Sequence, residues 1–466
     1  MSAYGTVPRV RPLHAVLVAA CFLGAAGFAA FANGYYVFVI GTLALTAIVG
    51  IGLNVLLGLA GQVSFGHVGF YAIGAYVVAI LTTKTEISFW LGLPIAAVIA
   101  GATGALLALP AVRVKGPYLA MVTIAFGFIV EQSLVEGRDL TGGQNGIMGI
   151  PSPAVMGITL GERGVTLLAL FIAAVLLFAF WRLSASSWGH AMRAVKDSET
   201  AAESIGLNPV AIKTMAFGLS AFCAGIAGGL FAPLSSFVTP STFTFLQSIL
   251  FVLVVMVGGA GTVTGPIIGA AVVVLLPEVL SGLAEYRLLF FGGLMLIVLW
   301  VAPQGIVGAA EKFFARRSGT ARTASMRTQA RARALHSQRR PLAMEQLSIS
   351  FGGIRAVTDL AFAAEPGAVT SLIGPNGAGK TTVLNMLSGF YRPDTGTIRL
   401  GVESLAGRPA YQASRAGIAR TYQTSQLFGS MTVLDNLVIA QSQGRLGVPI
   451  FRAERALRRE AVARAE

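Results

Sequence analysis

The sequence predicts a polytopic α-helical membrane protein of about ten transmembrane helices, followed by an incomplete α/β domain built on a phosphate-binding loop. Three observations carry that expectation. Hydrophobic residues make up 55% of the 466 residues and charged residues only 12%, a balance far too apolar for a soluble protein. Residues 1–310 are poor in charge and consist largely of membrane-length apolar runs. Far downstream, Gly374-Pro375-Asn376-Gly377-Ala378-Gly379-Lys380-Thr381 has the spacing of a loop that cradles phosphate groups.

A membrane span needs about 20 mostly apolar residues. Candidate spans fall at 14–32, 35–59, 66–83, 88–110, 117–135, 164–181, 211–235, 244–259, 262–281 and 286–302. The boundary around Gly258-Gly259-Ala260-Gly261 is the least defined of these. Arg9 and Arg11 precede an apolar stretch closing in Ala30-Phe31-Ala32, which resembles a secretory signal. That stretch is long for a signal core and another span follows at once, so an uncleaved first helix is expected. With the N-terminus in the cytoplasm, the inner loops carry Arg113 and Lys115, then Arg182, Arg193, Lys196 and Lys213, while the outer loops are less basic. This charge bias predicts a multi-pass protein of the cytoplasmic (inner) membrane with both termini cytoplasmic.

The formal net charge is +14, and nine basic residues with no acidic one lie between Lys312 and Arg340. Basic flanks on the cytoplasmic side of membrane helices account for this pattern, so no nucleic-acid partner is expected. The resulting organisation is a membrane domain at 1–310, a basic linker at 311–341 and a segment with the phosphate loop at 342–466. Cys21 and Cys223 lie in apolar runs, and His14, His67, His190 and His336 lack ligand spacing. Neither a disulfide framework nor a metal centre follows.

Glycines within the apolar runs, as in Gly101-Ala102-Thr103-Gly104 and Gly225-Ile226-Ala227-Gly228-Gly229, suit close helix packing. Gln62, Ser64 and His67 interrupt sequence at membrane depth, where polar groups need partners or water. They are candidates for a cavity or pathway, and equally for an interfacial turn between two helices. Asn54 and Glu131 are weaker candidates of the same kind. The uncharged, turn-rich loop Thr141 to Ile147 is either a docking loop for a soluble partner or a plain connection. Between Arg182 and Lys213, apolar residues at Met192, Val195, Ala202 and Ile205 predict short amphipathic helices at the membrane surface.

Gly58 to Tyr76, Thr141 to Ile147, Trp188 to Gly206 and Gly258-Gly259-Ala260-Gly261-Thr262 together resemble the permease subunit of branched-chain amino acid ABC importers. The likeness spans most of residues 40–305. It implies that Glu199, Ala201, Ala202 and Gly206 form the loop such permeases dock into their ATPase, although Glu199 stands one residue further from the alanines than in the usual pattern.

Downstream, Ala368 to Ile373 reads as a short buried strand entering the phosphate loop, and Thr381 to Ser388 as the helix leaving it. In such a loop Gly374, Asn376, Gly377 and Gly379 turn backbone N–H groups toward phosphate oxygens, Lys380 reaches the β- and γ-phosphates, and the Thr381 hydroxyl binds Mg²⁺, with Thr382 beside it. The implied cofactors are ATP and Mg²⁺. Met344 to Phe351 alternates as a strand does, with Gly352-Gly353 as its turn. Phe351 to Val357 resembles the start of the ATPase subunit of the same importers, which makes Phe351 the candidate for stacking on adenine. Its alternative is a core phenylalanine at a strand end. Gly417 to Phe428 resembles the glutamine loop of that ATPase. The resemblance gives Gln423 a catalytic role at Mg²⁺ and the attacking water, and makes Leu427 and Phe428 contacts to the permease. Thr432 is a plausible helix cap, with Asp435 as the acid three positions on.

An ATPase of this family is expected to continue well past Arg452-Ala453-Glu454. The sequence contains nothing resembling the Leu-Ser-Gly-Gly-Gln signature, the Walker B acidic pair or the switch histidine, and phosphoryl transfer needs those parts together. A truncated chain, a split gene product and an interrupted reading frame are all open. The expected function is ATP-driven import of branched-chain or related amino acids, with a second permease subunit, complete ABC ATPase subunits and an extracytoplasmic solute-binding protein as partners. Three alternatives stand beside it. One is a permease with a non-catalytic ATPase remnant served by separate ATPases, another a transporter of urea or amides, and the last a nucleotide-dependent membrane sensor.

Overall fold

A computed structural model describes residues 12–112, 114, 116–279, 286–302, 304–310, 340–424 and 426–447. Arg9, Arg11, Arg113, Lys115, residues 311–339 of the linker expected at 311–341, and the C-terminal cluster with Arg452, Arg455, Arg458, Arg459 and Arg464 lie outside the described residues. The chain divides into two compact units. Among the described residues, one holds 12–192 and 210–310, and the other joins 193–209 to 340–447.

Within the first unit every predicted span has a helix. These are α1 (Pro12–Phe31), α2 (Gly34–Leu53), α3 (His67–Lys84), α4 (Phe89–Ala111), α5 (Pro117–Glu136) and α6 (Gly161–Ser184). After α7 (Ser187–Asp197) and α8 (Glu199–Ser204), the latter belonging to the other unit, come α9 (Pro209–Ser235), α10 (Phe245–Gly258), α11 (Gly265–Val279) and α12 (Arg287–Val301). Seven helices among the described residues are long and apolar enough to cross a bilayer alone, and Val18–Phe31 and Gly265–Val279 are shorter apolar helices. The protein is therefore a multi-pass membrane protein. The boundary left loose by the sequence resolves into α10 ending at Gly258 and α11 starting at Gly265.

The helices sort by what covers them. Ala47 of α2, Leu250, Leu253, Val254 and Val257 of α10, and Ala270 and Val273 of α11 form one buried cluster. Leu91, Leu106, Phe171 and Phe178 on α4 and α6 are exposed, as lipid-facing side chains are when hydrocarbon replaces water as their surroundings. Small residues set the closest helix approaches. A Cβ added at Gly228 of α9 would stand 1.9 Å from the carbonyl oxygen of Tyr71 on α3, so these backbones meet only because that position has no side chain. Gly228→Val is expected to cost about 1–3 kcal/mol or more through overpacking, read as a lower thermal midpoint and monodisperse yield in detergent. An unchanged midpoint would contradict this packing.

The predicted turn-rich loop is tied down. Ile147–Met148 pairs antiparallel with Phe237–Val238, and the Thr141 hydroxyl donates to the Leu134 carbonyl at 2.6 Å and accepts the Gly143 N–H at 3.2 Å.

In the second unit an antiparallel sheet contains β1 (Leu342–Phe351), β2 (Ile354–Ala364), β3 (Thr395–Leu400) and β4 (Glu403–Ser404), in the order β2-β1-β3-β4. Gly352-Gly353 closes the first hairpin, with Phe351 opposite Ile354, because glycine supplies the positive φ of a tight turn. The helices are α13 (Lys380–Leu387), α14 (Ala410–Ala416) and α15 (Val433–Gln441). Met344, Leu347, Ile349 and Ile398 of the sheet pack with Val383 and Met386 of α13 and with Leu405 into one core. Burying each of the two α13 side chains contributes about 1.5–3 kcal/mol. This anchorage fixes the helix that follows the phosphate loop. Thr432 caps α15, accepting the Asp435 N–H at 3.1 Å.

One local expectation fails. Residues 368–373 form no strand, and Val369 and Ile373 are 94% and 91% exposed. A strand exists only through a ladder with a neighbour. None of the described strands pairs with this stretch.

Candidate functional site

The phosphate loop is built on α13. Gly379 takes a left-handed φ of 78° immediately before the helix begins at Lys380, and a Cβ there would meet the Ala356 carbonyl oxygen at 2.5 Å. Gly377 also has positive φ. The turn therefore needs glycine at both positions. Gly374, Asn376 and Gly377 are exposed, as is Thr381 on the first turn of the helix, with Thr382 half-buried beside it. The Lys380 ammonium donates to the Gly374 and Pro375 carbonyls at 2.8 and 2.7 Å, which holds its charge over the loop. A glycine-lined turn at a helix N-terminus, carrying a lysine and a threonine hydroxyl, fits a phosphate group.

Phe351, at the end of β1, is 45% exposed and meets Tyr391 edge to face, with ring centroids 5.1 Å apart. Gln423 is exposed on a bend. Two residues before Tyr422, the Arg420 guanidinium donates to Asn385 Oδ1 at 2.6 Å and to Ser388 Oγ at 3.3 Å. The glutamine loop is thereby tied to the end of the phosphate-loop helix.

The segment Arg193–Pro209 belongs to this same unit, and its bonds explain why. Ser198 caps α8 by accepting the Ala201 N–H at 3.2 Å and donates to Gln426 Oε1 at 3.1 Å. Glu199 stands in the first turn of α8, where the helix dipole favours an acid; Ala201 and Ala202 are buried. The Asp197 carboxylate accepts both the backbone N–H and the hydroxyl of Ser430, at 2.8 and 2.7 Å. The Ser204 and Tyr422 hydroxyls bond to each other, and the Ser204 carbonyl accepts the Ser414 hydroxyl at 2.7 Å. Arg415 donates from Nε to the Gly206 carbonyl at 2.9 Å and from Nη2 to the Gly444 carbonyl at 3.1 Å. Leu427 is exposed, whereas Phe428 is buried and its backbone is held from both sides by the Asn436 amide.

Sequence reasoning named Glu199, Ala201, Ala202 and Gly206 on one side of this clasp. It missed Asp197, Ser204, Ser414, Arg415, Tyr422 and Ser430, whose hydrogen bonds join the two sides. These are short polar contacts without periodicity, so no pattern marks them in advance. Gly206 has φ +87°, and a Cβ on Gly444 would stand 1.9 Å from the Gly206 carbonyl oxygen. Gly444→Val is expected to release the segment, read as faster hydrogen exchange across 198–206; unchanged exchange would contradict the contact.

The polar candidates of the membrane unit form two buried sets. His67 lies between the hydroxyls of Ser64, 3.0 Å from Nδ1, and Ser220, 2.6 Å from Nε2. The backbone beside it is satisfied by side chains, Phe65 N–H by Thr123 Oγ1 and Val68 N–H by Ser248 Oγ. Gln62 is half-buried and donates to the Ala60 carbonyl at 3.3 Å. Asn54 opens a π-helical turn, Asn54–Leu59. Its amide donates to the Thr262 carbonyl at 2.8 Å while its oxygen accepts the Gly261 N–H at 2.7 Å. Both bonding directions of the amide are thus used on the backbone of the α10–α11 connection.

A family model described as "Branched-chain amino acid transport system / permease component" matches residues 35–299. The chain belongs to this permease family. A second model, "ABC transporter", matches residues 357–465, so the permease is joined in one chain to part of an ABC nucleotide-binding domain. The chain is 38% identical over 299 residues to the high-affinity branched-chain amino acid transport permease protein LivM of Escherichia coli (strain K12), covering 59% of this chain and 70% of that relative. Over 119 residues it is 46% identical to the transport ATP-binding protein LivG of the same organism, covering 24% of this chain and 47% of that relative. It is 47% identical over 100 residues to the ATP-binding protein BraF of Pseudomonas aeruginosa, covering 22% of this chain and 39% of that relative. The chain spans about half or less of the length of these two ATP-binding relatives.

Proposed function

We propose that this protein imports branched-chain amino acids across the cytoplasmic membrane, driven by ATP, as a permease carrying part of its own nucleotide-binding domain. The observation that carries the reading is the clasp around 197–206, where a segment lying between two membrane helices is hydrogen-bonded by the same unit that holds the phosphate loop. In this reading Gly374, Asn376, Gly377, Gly379 and Lys380 hold the nucleotide phosphates, Thr381 and Gln423 face Mg²⁺, Thr382 lines the loop, and Phe351 stacks on the base. Bound ATP with Mg²⁺ supplies the free energy of transport. The chain's own residues position the phosphates and pass the change to α8 through Glu199, Ala201, Ala202 and Gly206, with Leu427 and Phe428 completing the docking surface. Asn54, Gln62, Ser64 and His67 shape the membrane core beside the solute path. Both termini face the cytoplasm. The partners are a second permease subunit, complete ABC ATPase subunits and an extracytoplasmic solute-binding protein.

The substrate class is tested by competition. Binding-protein-dependent leucine uptake is expected to be suppressed by excess isoleucine or valine and unaffected by urea or acetamide. Suppression by urea alone would transfer the reading to a different small solute.

The unpaired stretch 368–373 favours a second reading. There the segment binds nucleotide without turning it over, and separate complete ATPases drive transport. ATP turnover by the purified chain alone would exclude it.

A further inference from the structure

We propose that Arg420 is the positioning residue that links the phosphate-loop helix to the clasped segment. The proposal rests on the nucleotide-binding reading above and assigns one side chain to the relay within it. Lys380 and Asn385 stand on the same short helix, α13, whose end is fixed by the Ser388 hydroxyl donating to the Leu384 carbonyl at 2.6 Å. Lys380 to Ser388 spans about 12 Å along the helix axis. At that far end the Arg420 guanidinium takes Asn385 Oδ1 at 2.6 Å and Ser388 Oγ at 3.3 Å. The same cation lies 5.9 Å from the Phe390 ring centroid and 5.1 Å from that of Tyr422, and those rings meet edge to face at 6.4 Å. Tyr422 then bonds through its hydroxyl to Ser204 on α8.

One planar cation thus joins three things: the end of the helix that begins with the phosphate lysine, the backbone leading to Gln423, and the aromatic ring that grips α8. A shift of α13 moves Asn385 and Ser388, and the guanidinium carries that shift to Tyr422. The guanidinium donates to both oxygens from one nitrogen, Nη1, while its carbon lies over both rings. Lysine keeps the charge but lacks the plane, so Arg420→Lys separates the relay from simple electrostatics. Tyr422→Phe removes only the last bond and leaves both ring contacts.

The test uses the full chain in lipid nanodiscs. Nucleotide affinity is measured by titration with a fluorescent ATP analogue and Mg²⁺, and hydrogen exchange is followed across 198–206 with and without a non-hydrolysable ATP analogue. In the unsubstituted chain, nucleotide is expected to change exchange across 198–206 by about fivefold. In Arg420→Lys and in Tyr422→Phe the binding isotherm is expected to remain while that change is lost. A merely structural role would raise exchange equally with and without nucleotide. Persistence of the change in both variants, or its absence in an unsubstituted chain that binds nucleotide, would overturn the relay. Failure of the unsubstituted chain to bind nucleotide would instead overturn the nucleotide reading, and the relay with it. Should Arg420→Lys fail to fold, Tyr422→Phe decides alone.

Discussion

Lys380→Ala is expected to abolish ATP-driven uptake while leaving the chain folded in the membrane. The lysine makes its bonds to the Gly374 and Pro375 carbonyls of its own loop. It contributes nothing to the core of Val383, Met386, Leu347 and Ile398 that fixes α13. Its removal therefore takes away the cation aimed at the phosphates without opening a cavity. Loss of one preorganised group facing developing charge lowers rates on the order of a hundredfold or more. The measurement is initial leucine uptake by vesicles containing the variant, its partner subunits and ATP, alongside the thermal midpoint of the purified chain. Loss of uptake with an unchanged midpoint is the expected result; unchanged uptake would show that this loop does not drive transport.

Asn54→Leu is expected to have the opposite profile, with the fold failing first. The fully buried Asn54 amide satisfies the N–H of Gly261 and the carbonyl of Thr262. The two orphaned groups stand on half-buried residues, Gly261 and Thr262, so together they cost about 1–3 kcal/mol, the range for one fully buried group, in a marginally stable membrane domain. The π turn has no room to relax, because a Cβ on Gly58 would already stand 2.2 Å from Asn54 Oδ1 and 2.4 Å from the Gly261 nitrogen. The expected readout is a sharp fall in folded protein recovered from the membrane. Asn54→Asp, which keeps the acceptor for the Gly261 N–H, is expected to recover part of it. Normal recovery of Asn54→Leu would mean the α10–α11 connection is held by other contacts.

The span positions were legible because membrane helices announce themselves by length and apolarity alone, and the ten runs read from 14–32 to 286–302 each meet a helix. The strand Met344 to Phe351 and its Gly352-Gly353 turn were legible for the same kind of reason, a strict local pattern. The strand read at Ala368 to Ile373 was not safe, since its existence depends on neighbours and not on its own residues. Asn54 and His67 stood out as polar groups at membrane depth. Their partners, the Gly261–Thr262 backbone and Ser220, are more than 150 positions away in the chain, and no spacing rule reaches that far. The clasp was half legible. The alanines and Gly206 follow a pattern, whereas Asp197, Ser430 and Arg415 matter only through where the fold brings them.

In the proposed function, nucleotide at the Gly374 to Thr381 loop drives solute through the helices of residues 35–299. Accumulation of radiolabelled leucine against its gradient, by vesicles holding the full-length chain with its partner subunits and binding protein, tests it most directly. Vesicles loaded with ATP are predicted to concentrate leucine above the outside level, and vesicles loaded with ADP to remain at or below it. Equal leucine levels in the two, whether equilibrated or excluded, would contradict the account.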